Sequence, residues 1–235
     1  MTTIVSRNIK QNNPDYPSAF LVRLGSKAPK QMAVLGDISI LRNKPIGILC
    51  SEKSILDQMI IVDGMIRKWC GEDQTLISGF HSKPEKINAT IILDYQRPAV
   101  LCLGSSFSKK HLNKKVKKAL EAGRLLLLCP FESDTQIRKE RDLLRNLIVA
   151  ALSESILVAH REGDDVFENF LAETRAWDIP TTVLEMKKEV RNVDIDVKEP
   201  GYSVVKRVLP LFSKVEKFGQ IIGKNGLGEV RPPRE

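Results

Sequence analysis

The chain has 235 residues, 42% of them hydrophobic, and carries 37 Lys plus Arg against 29 Asp plus Glu, a formal charge of +8. That length buries a sizeable core in one large domain with extensions or in two small ones. No apolar run approaches the roughly 18–20 residues of a membrane helix, so no membrane partner is expected. The cation surplus favours polyanionic partners through counterion release. An aromatic content of 6% argues against a surface on which several bases stack. The opening MTTIVSRNIKQNNPDYP lacks the apolar core of a signal peptide, and a cytoplasmic location is expected. Cys50, Cys70, Cys102 and Cys129 are widely spaced with no CxxC pair, which suits buried reduced thiols and not zinc.

Residues 1–40 read as an N-terminal extension with turn-like Asn13-Pro14 and Tyr16-Pro17. From Pro45 onward, short apolar runs alternate with helical patterns. Ile46–Cys50 is the first strand. Ile55, Met59, Val62, Ile66 and Trp69 then recur at steps of four and three, the spacing of an amphipathic helix. Thr75–Ser78 reads as a strand ending at Gly79, and Lys83–Leu93 as a helix. Pro98–Leu103 is a strand closed by Gly104-Ser105-Ser106. Lys109–Ala122 is a helix stopped by Gly123, followed by strand Arg124–Cys129. The next helix places Arg138, Arg141 and Arg145 on one face and Leu144, Ile148 and Ala151 on a neighbouring one. Ser155–Ala159 is a strand, Val166–Trp177 a helix and Pro180–Leu184 the last strand.

Alternation of nearly all-apolar strands with helices over residues 41–186 predicts a Rossmann-like, doubly wound α/β core. Its sheet is mostly parallel, with helices on both faces. A closed eight-fold barrel needs about 250 residues and does not fit. Residues 187–235 read as a basic tail in which the alternation stops and partial disorder is expected.

Ligands of such sheets bind outside the carboxyl ends of the strands. Those ends are Ser51-Glu52, Gly79 to Lys83, Gly104-Ser105-Ser106, Pro130-Phe131 and His160-Arg161. After the first strand the chain reads CSEKSI, with no GxGxxG, and no GxxxxGK[ST] occurs, so hydride transfer and classical nucleotide hydrolysis are poorly supported. His81 and His160 read as polar loop residues, and Ser51 and Ser54 as helix caps without a GxSxG elbow. Asp164-Asp165 reads as a turn. No metal or cofactor is expected. Lys109, Lys110, Lys114 and Lys118 belong to KKHLNKKVKK, a helix whose lysines are a solvated face with a secondary attraction for phosphate. Gly219 to Gly226 resembles the GxxG loop of KH modules, but too few residues follow to complete one.

Three stretches resemble the DNA-processing protein A (DprA, or Smf) family. Leu76-Ile-Ser-Gly79 stands where that family opens its S-G-x-A-x-G-I-D loop. Leu144-Arg-Asn-Leu-Ile-Val-Ala-Ala-Leu-Ser153 resembles R-R-N-R-I-I-A-G-L-S, with Arg145 and Asn146 matching. Ile156-Leu-Val158 follows as the family's L-V strand does, and Tyr16-Pro17 and Leu35-Gly36 resemble its lead-in. The similarity spans residues 14–185 and includes no winged-helix domain. The family's G-S-R is Cys50-Ser51-Glu52 here, an acid in place of a cation.

The resemblance implies a non-catalytic single-stranded-DNA-binding protein of DNA processing and recombination. Its partners would be single-stranded DNA and a RecA-type recombinase, and its assembly a homodimer. Arg138, Arg141 and Arg145 would grip the backbone, since a guanidinium fork holds two phosphate oxygens at once. Asn146 would orient the neighbouring loop. Ser78, Gly79, His81 and Lys83 would supply main-chain donors and a cation, with Ser51 the retained serine of the first turn. Two alternatives stand: a sensor of a nucleotide-derived ligand, and a phosphoribohydrolase-like enzyme. The latter resembles PGGxGTxxE, where this chain reads HREGDDVFE with Glu168 alone.

Overall fold

The computed structural model describes residues 6–79, 81–105, 112–131, 138–161 and 163–186. The strands are β1 (Arg7–Lys10), β2 (Gln31–Gly36), β3 (Ile46–Cys50), β4 (Leu76–Gly79), β5 (Ala99–Cys102), β6 (Leu125–Cys129), β7 (Ser155–Arg161) and β8 (Thr181–Met186). The helices are α1 (Ser18–Leu24), α2 (Leu56–Gly71), α3 (Lys83–Asp94), α4 (Lys114–Glu121), α5 (Arg138–Ala151) and α6 (Asp165–Thr174). All eight strands form one sheet in the order β1-β2-β6-β5-β4-β3-β7-β8.

The six strands from β6 to β8 run parallel. They are buried on both faces, as in Leu125–Cys129, which explains why their sequences are continuous apolar runs. Alternate side chains feed two cores. Leu49, Ile77, Val100, Leu126 and Leu128 point toward α1, α5 and α6, where Phe20 and Phe170 are fully enclosed. Ile48, Leu76, Leu101, Leu125 and Leu127 point toward α2, α3 and α4.

The segment read as an extension supplies β1, α1 and β2. These strands join the sheet antiparallel, β2 pairing with β6 from Ala33↔Cys129 to Gly36↔Leu126. Tyr16, Phe20 and Leu24 enter the first core.

The strand order reverses beside β3, which has β4 on one side and β7 on the other. Ligands of doubly wound sheets bind at such a switch point, outside the carboxyl ends of the strands. Lys109, Lys110, the GxxG stretch and the basic tail lie outside the described residues.

Candidate nucleic-acid interface

At the end of β3 the chain closes the switch point with its own acids. Ser51 Oγ donates to Asp164 Oδ2 and accepts from Lys53 N–H at 3.0 Å. Ser51 and Asp164 are both buried. Ser54 Oγ donates to Ala159 O at 2.9 Å, so neither serine caps α2; Gln58 Oε1 instead accepts from Ile55 N–H at 3.0 Å. Gln58 Nε2 also donates to His160 O at 2.7 Å, tying α2 to β7. Glu52 is exposed and accepts from Lys83 N–H at 3.2 Å. Glu168 Oε1 accepts from Gly163 N–H at 2.8 Å. Carboxylates therefore occupy the place where a dinucleotide phosphate would sit in a Rossmann site.

A different arrangement lies at the ends of β4 and β5. Ser82-x-x-Glu85 forms a capping box at α3: Ser82 Oγ accepts from Glu85 N–H at 3.1 Å, and Glu85 Oε2 accepts from Ser82 N–H at 3.3 Å. The same Oε2 accepts from His81 N–H at 3.1 Å. Ser82 Oγ donates to Cys50 O at 2.9 Å, tying the start of α3 to β3, and Ser78 Oγ donates to Ile48 O at 2.8 Å, tying β4 to β3. Glu85 is fully enclosed.

Arg145 turns inward from α5, and only 3% of its surface is exposed. Its Nη1 lies 3.2 Å from Asp142 Oδ1, and its Nη2 donates to Asn146 Oδ1 at 3.0 Å. His81 Nε2 lies 3.4 Å from the same Asp142 oxygen. The guanidinium rests between two strand ends that lack side chains. A β-carbon on Gly79 would stand 3.0 Å from Arg145 Nε, and one on Gly104 3.6 Å from Nη1. At Gly79 the missing side chain is what allows that approach, whereas at Gly104 the contact would be an ordinary one. Burial pushes the Cys102 thiol up, although the Arg145 charge pulls against it.

The predicted arginine stripe is thus divided. Arg145 and Asn146 are buried, Arg141 is half-buried, and Arg138 begins α5. Lys139 is exposed and pairs with Asp165 at 3.2 Å. Lys53 is exposed beside the switch point and donates to Gly163 O at 3.2 Å, and further exposed cations lie on the α3 and α4 side. Lys83 and Lys86 are exposed on the first turn of α3, and Lys114, Lys117 and Lys118 are exposed along α4. Asn113 Oδ1 caps α4 by accepting from Val116 N–H at 3.0 Å, which holds Lys114 at the carboxyl edge. Lys115 is neutralised by Asp94 at 2.6 Å.

In the sequence Asp164 reads only as a turn residue and Asp142 only as a partial neutraliser of the arginine face, and Gln58 was missed. A signal for Asp142 was present, since an acid three residues before an arginine shares its helical face. His160 was expected in a polar loop; it is buried and stacked on Phe167, with ring centroids 5.8 Å apart.

A doubly wound sheet with a lysine-flanked carboxyl edge and a closed switch point defines a Rossmann-like binding core. The chain belongs to the DNA recombination-mediator protein A family, whose model matches residues 7–164. Its fold is similar to DNA processing protein A from Helicobacter pylori, at 16% identity and a TM-score of 0.64 over 92% of this chain and 97% of that one. The H. pylori protein is described as having a unique single-stranded DNA binding mode. DNA processing protein A from Streptococcus pneumoniae matches at 16% identity and a TM-score of 0.55, over 77% of this chain and 63% of that one. The chain therefore spans less than two thirds of the S. pneumoniae protein. No curated protein matches in sequence. Family membership makes this a DNA-processing, recombination-mediator protein. Among the described residues no helix is long and apolar enough to cross a membrane.

Proposed function

We propose that the chain holds single-stranded DNA by its phosphate backbone along the carboxyl edge of the sheet, on the β4–β6 side. The observation that carries this reading is the exposure of Lys83 and Lys86 on the first turn of α3 and of Lys114 at the start of α4, with Lys117 and Lys118 exposed further along α4. Solvated lysines attract phosphate without reading sequence, and Glu52 and Asp164 repel it from the switch point. Family membership and the binding mode described for the H. pylori relative support the choice of a single strand. In this reading the held strand passes to a RecA-type recombinase in the cytoplasm, and the chain acts as a homodimer, which sedimentation velocity would test directly.

Fluorescence anisotropy with a labelled single-stranded oligonucleotide, titrated at several salt concentrations, tests the binding. The affinity is expected to fall steeply with salt, and Lys83→Ala and Lys114→Ala each to shallow the log–log slope by about 0.7. Absence of binding at low salt would overturn the reading.

A further inference from the structure

We propose that Arg145 is a positioning residue: it fixes the loops at the ends of β4 and β5 and touches no phosphate itself. The inference rests on the single-strand reading above, and it reassigns the residue that carries the sequence resemblance. A phosphate ligand needs accessible donors, whereas the Arg145 side chain is 4% exposed. Its two terminal nitrogens are spent on Asp142 and Asn146. Its Nε and the Asn146 Nδ2 are enclosed with no hydrogen-bond acceptor among the described residues.

Enclosing an ion pair and two unmet donors is a poor way to gain stability, since well-packed apolar side chains of similar volume usually do as well or better. What the arrangement supplies is geometry. The guanidinium lies against Gly79 and Gly104 at once, so one side chain on α5 sets the spacing of two strand ends. Asp142 extends the link to His81 at 3.4 Å. His81 N–H and Ser82 N–H are in turn held by Glu85, which meets the guanidinium over Gly79: a β-carbon there would stand 2.6 Å from Glu85 Oε2 and 3.0 Å from Arg145 Nε. The titratable groups around the guanidinium are thus Asp142 on its own helix and Glu85 and His81 from the β4–α3 segment. Lys83, the first exposed cation of the path, follows this segment directly.

The test compares Arg145→Gln and Arg145→Lys with the full wild-type chain. Single-strand affinity is measured against salt, and hydrogen exchange is followed at His81, Ser82 and Leu103. Positioning predicts an affinity loss of about tenfold with an unchanged salt slope. Exchange at His81 and Ser82 should speed up while β6 amides stay protected. Lysine should not rescue, because an ammonium cannot reproduce the planar fork. A slope shallower by about 0.7 would mean a direct phosphate contact and overturn the proposal. So would an unchanged affinity with a lowered melting temperature, the mark of a merely structural role. Unchanged exchange at His81 and Ser82 overturns it whether or not DNA binds, which separates its failure from that of the binding reading. Should Arg145→Gln fail to fold, Asp142→Asn removes the linking charge and is expected to give the same local exchange.

Discussion

Gly79 and Gly104 both face the Arg145 guanidinium, yet a methyl group would meet very different surroundings at the two positions. At Gly79 it would stand 2.6 Å from Glu85 Oε2 and 3.0 Å from Arg145 Nε; at Gly104 its nearest neighbours are 3.6 Å away. Glu85 cannot simply swing aside, because its carboxylate receives the His81 and Ser82 amides. Gly79→Ala is therefore expected to cost about 1–3 kcal/mol by overpacking. It should also weaken single-strand binding through the displaced β4–α3 segment. Gly104→Ala, at ordinary contact distance, should leave stability within about 0.5 kcal/mol. Urea denaturation of the two variants decides the point. Equal destabilisation would refute this account of the packing between the strand ends.

Among the elements, α5 shows most clearly what local sequence conveys and what it hides. Its apolar residues at three- and four-residue steps announce a buried helix, and Leu147 to Ala151 are indeed enclosed. The alternation of strands β3 to β8 with helices was legible for the same reason, because strands covered on both faces become uninterrupted apolar runs. The sequence did not reveal β1, whose Arg7-Asn-Ile-Lys10 buries only Ile9. Nor did it reveal the antiparallel pairing of β2 with a strand about ninety residues later. Periodicity likewise placed Arg145 beside the apolar face without saying that two glycine strand ends would admit it. The end of α5 is a further case, since its last turn carries no basic residue. Arg23 on α1 takes that role across the chain, its Nη1 donating to Ala151 O and Ser153 O at 2.9 Å each. A cation at a helix carboxyl end also meets the favourable end of the helix dipole. Arg23→Ala should cost about 1–2 kcal/mol. At this chain length that lowers the melting temperature by roughly 2–8 °C, with single-strand affinity unchanged. Calorimetry showing no shift would remove Arg23 from the docking of α1.

At the scale of the whole molecule, the sheet divides the interior into two cores and carries cysteines into both. Cys102 joins the α1, α5 and α6 side, Cys50 and Cys70 join the other, and all four cysteines are buried as thiols. Burial pushes the Cys50 and Cys102 thiols far up, and the Cys70 thiol from the ordinary 9.0 to about 11. The thiolate is the reactive form, so the folded chain should resist a disulfide reagent at pH 8 and react only as it unfolds. The same shifts make stability depend on pH with a definite sign. A thiol whose folded pKa is raised holds a proton that the unfolded chain gives up. Its contribution is fully present below about pH 9 and is lost as pH rises, through about 11 for Cys70 and beyond that for Cys50 and Cys102. Within that window each such thiol removes about 1.4 kcal/mol per pH unit. Tyr16, which donates to Pro29 O at 2.6 Å and is also raised by burial, adds to the same slope above its ordinary 10.0. Urea midpoints are thus expected to be flat from pH 7 to 8.5 and to fall above pH 9, with Cys70→Ala showing a shallower fall. Fast labelling of Cys50 or Cys102 in the absence of denaturant would mean that the two cores open without global unfolding, and that the sheet does not act as one cooperative unit.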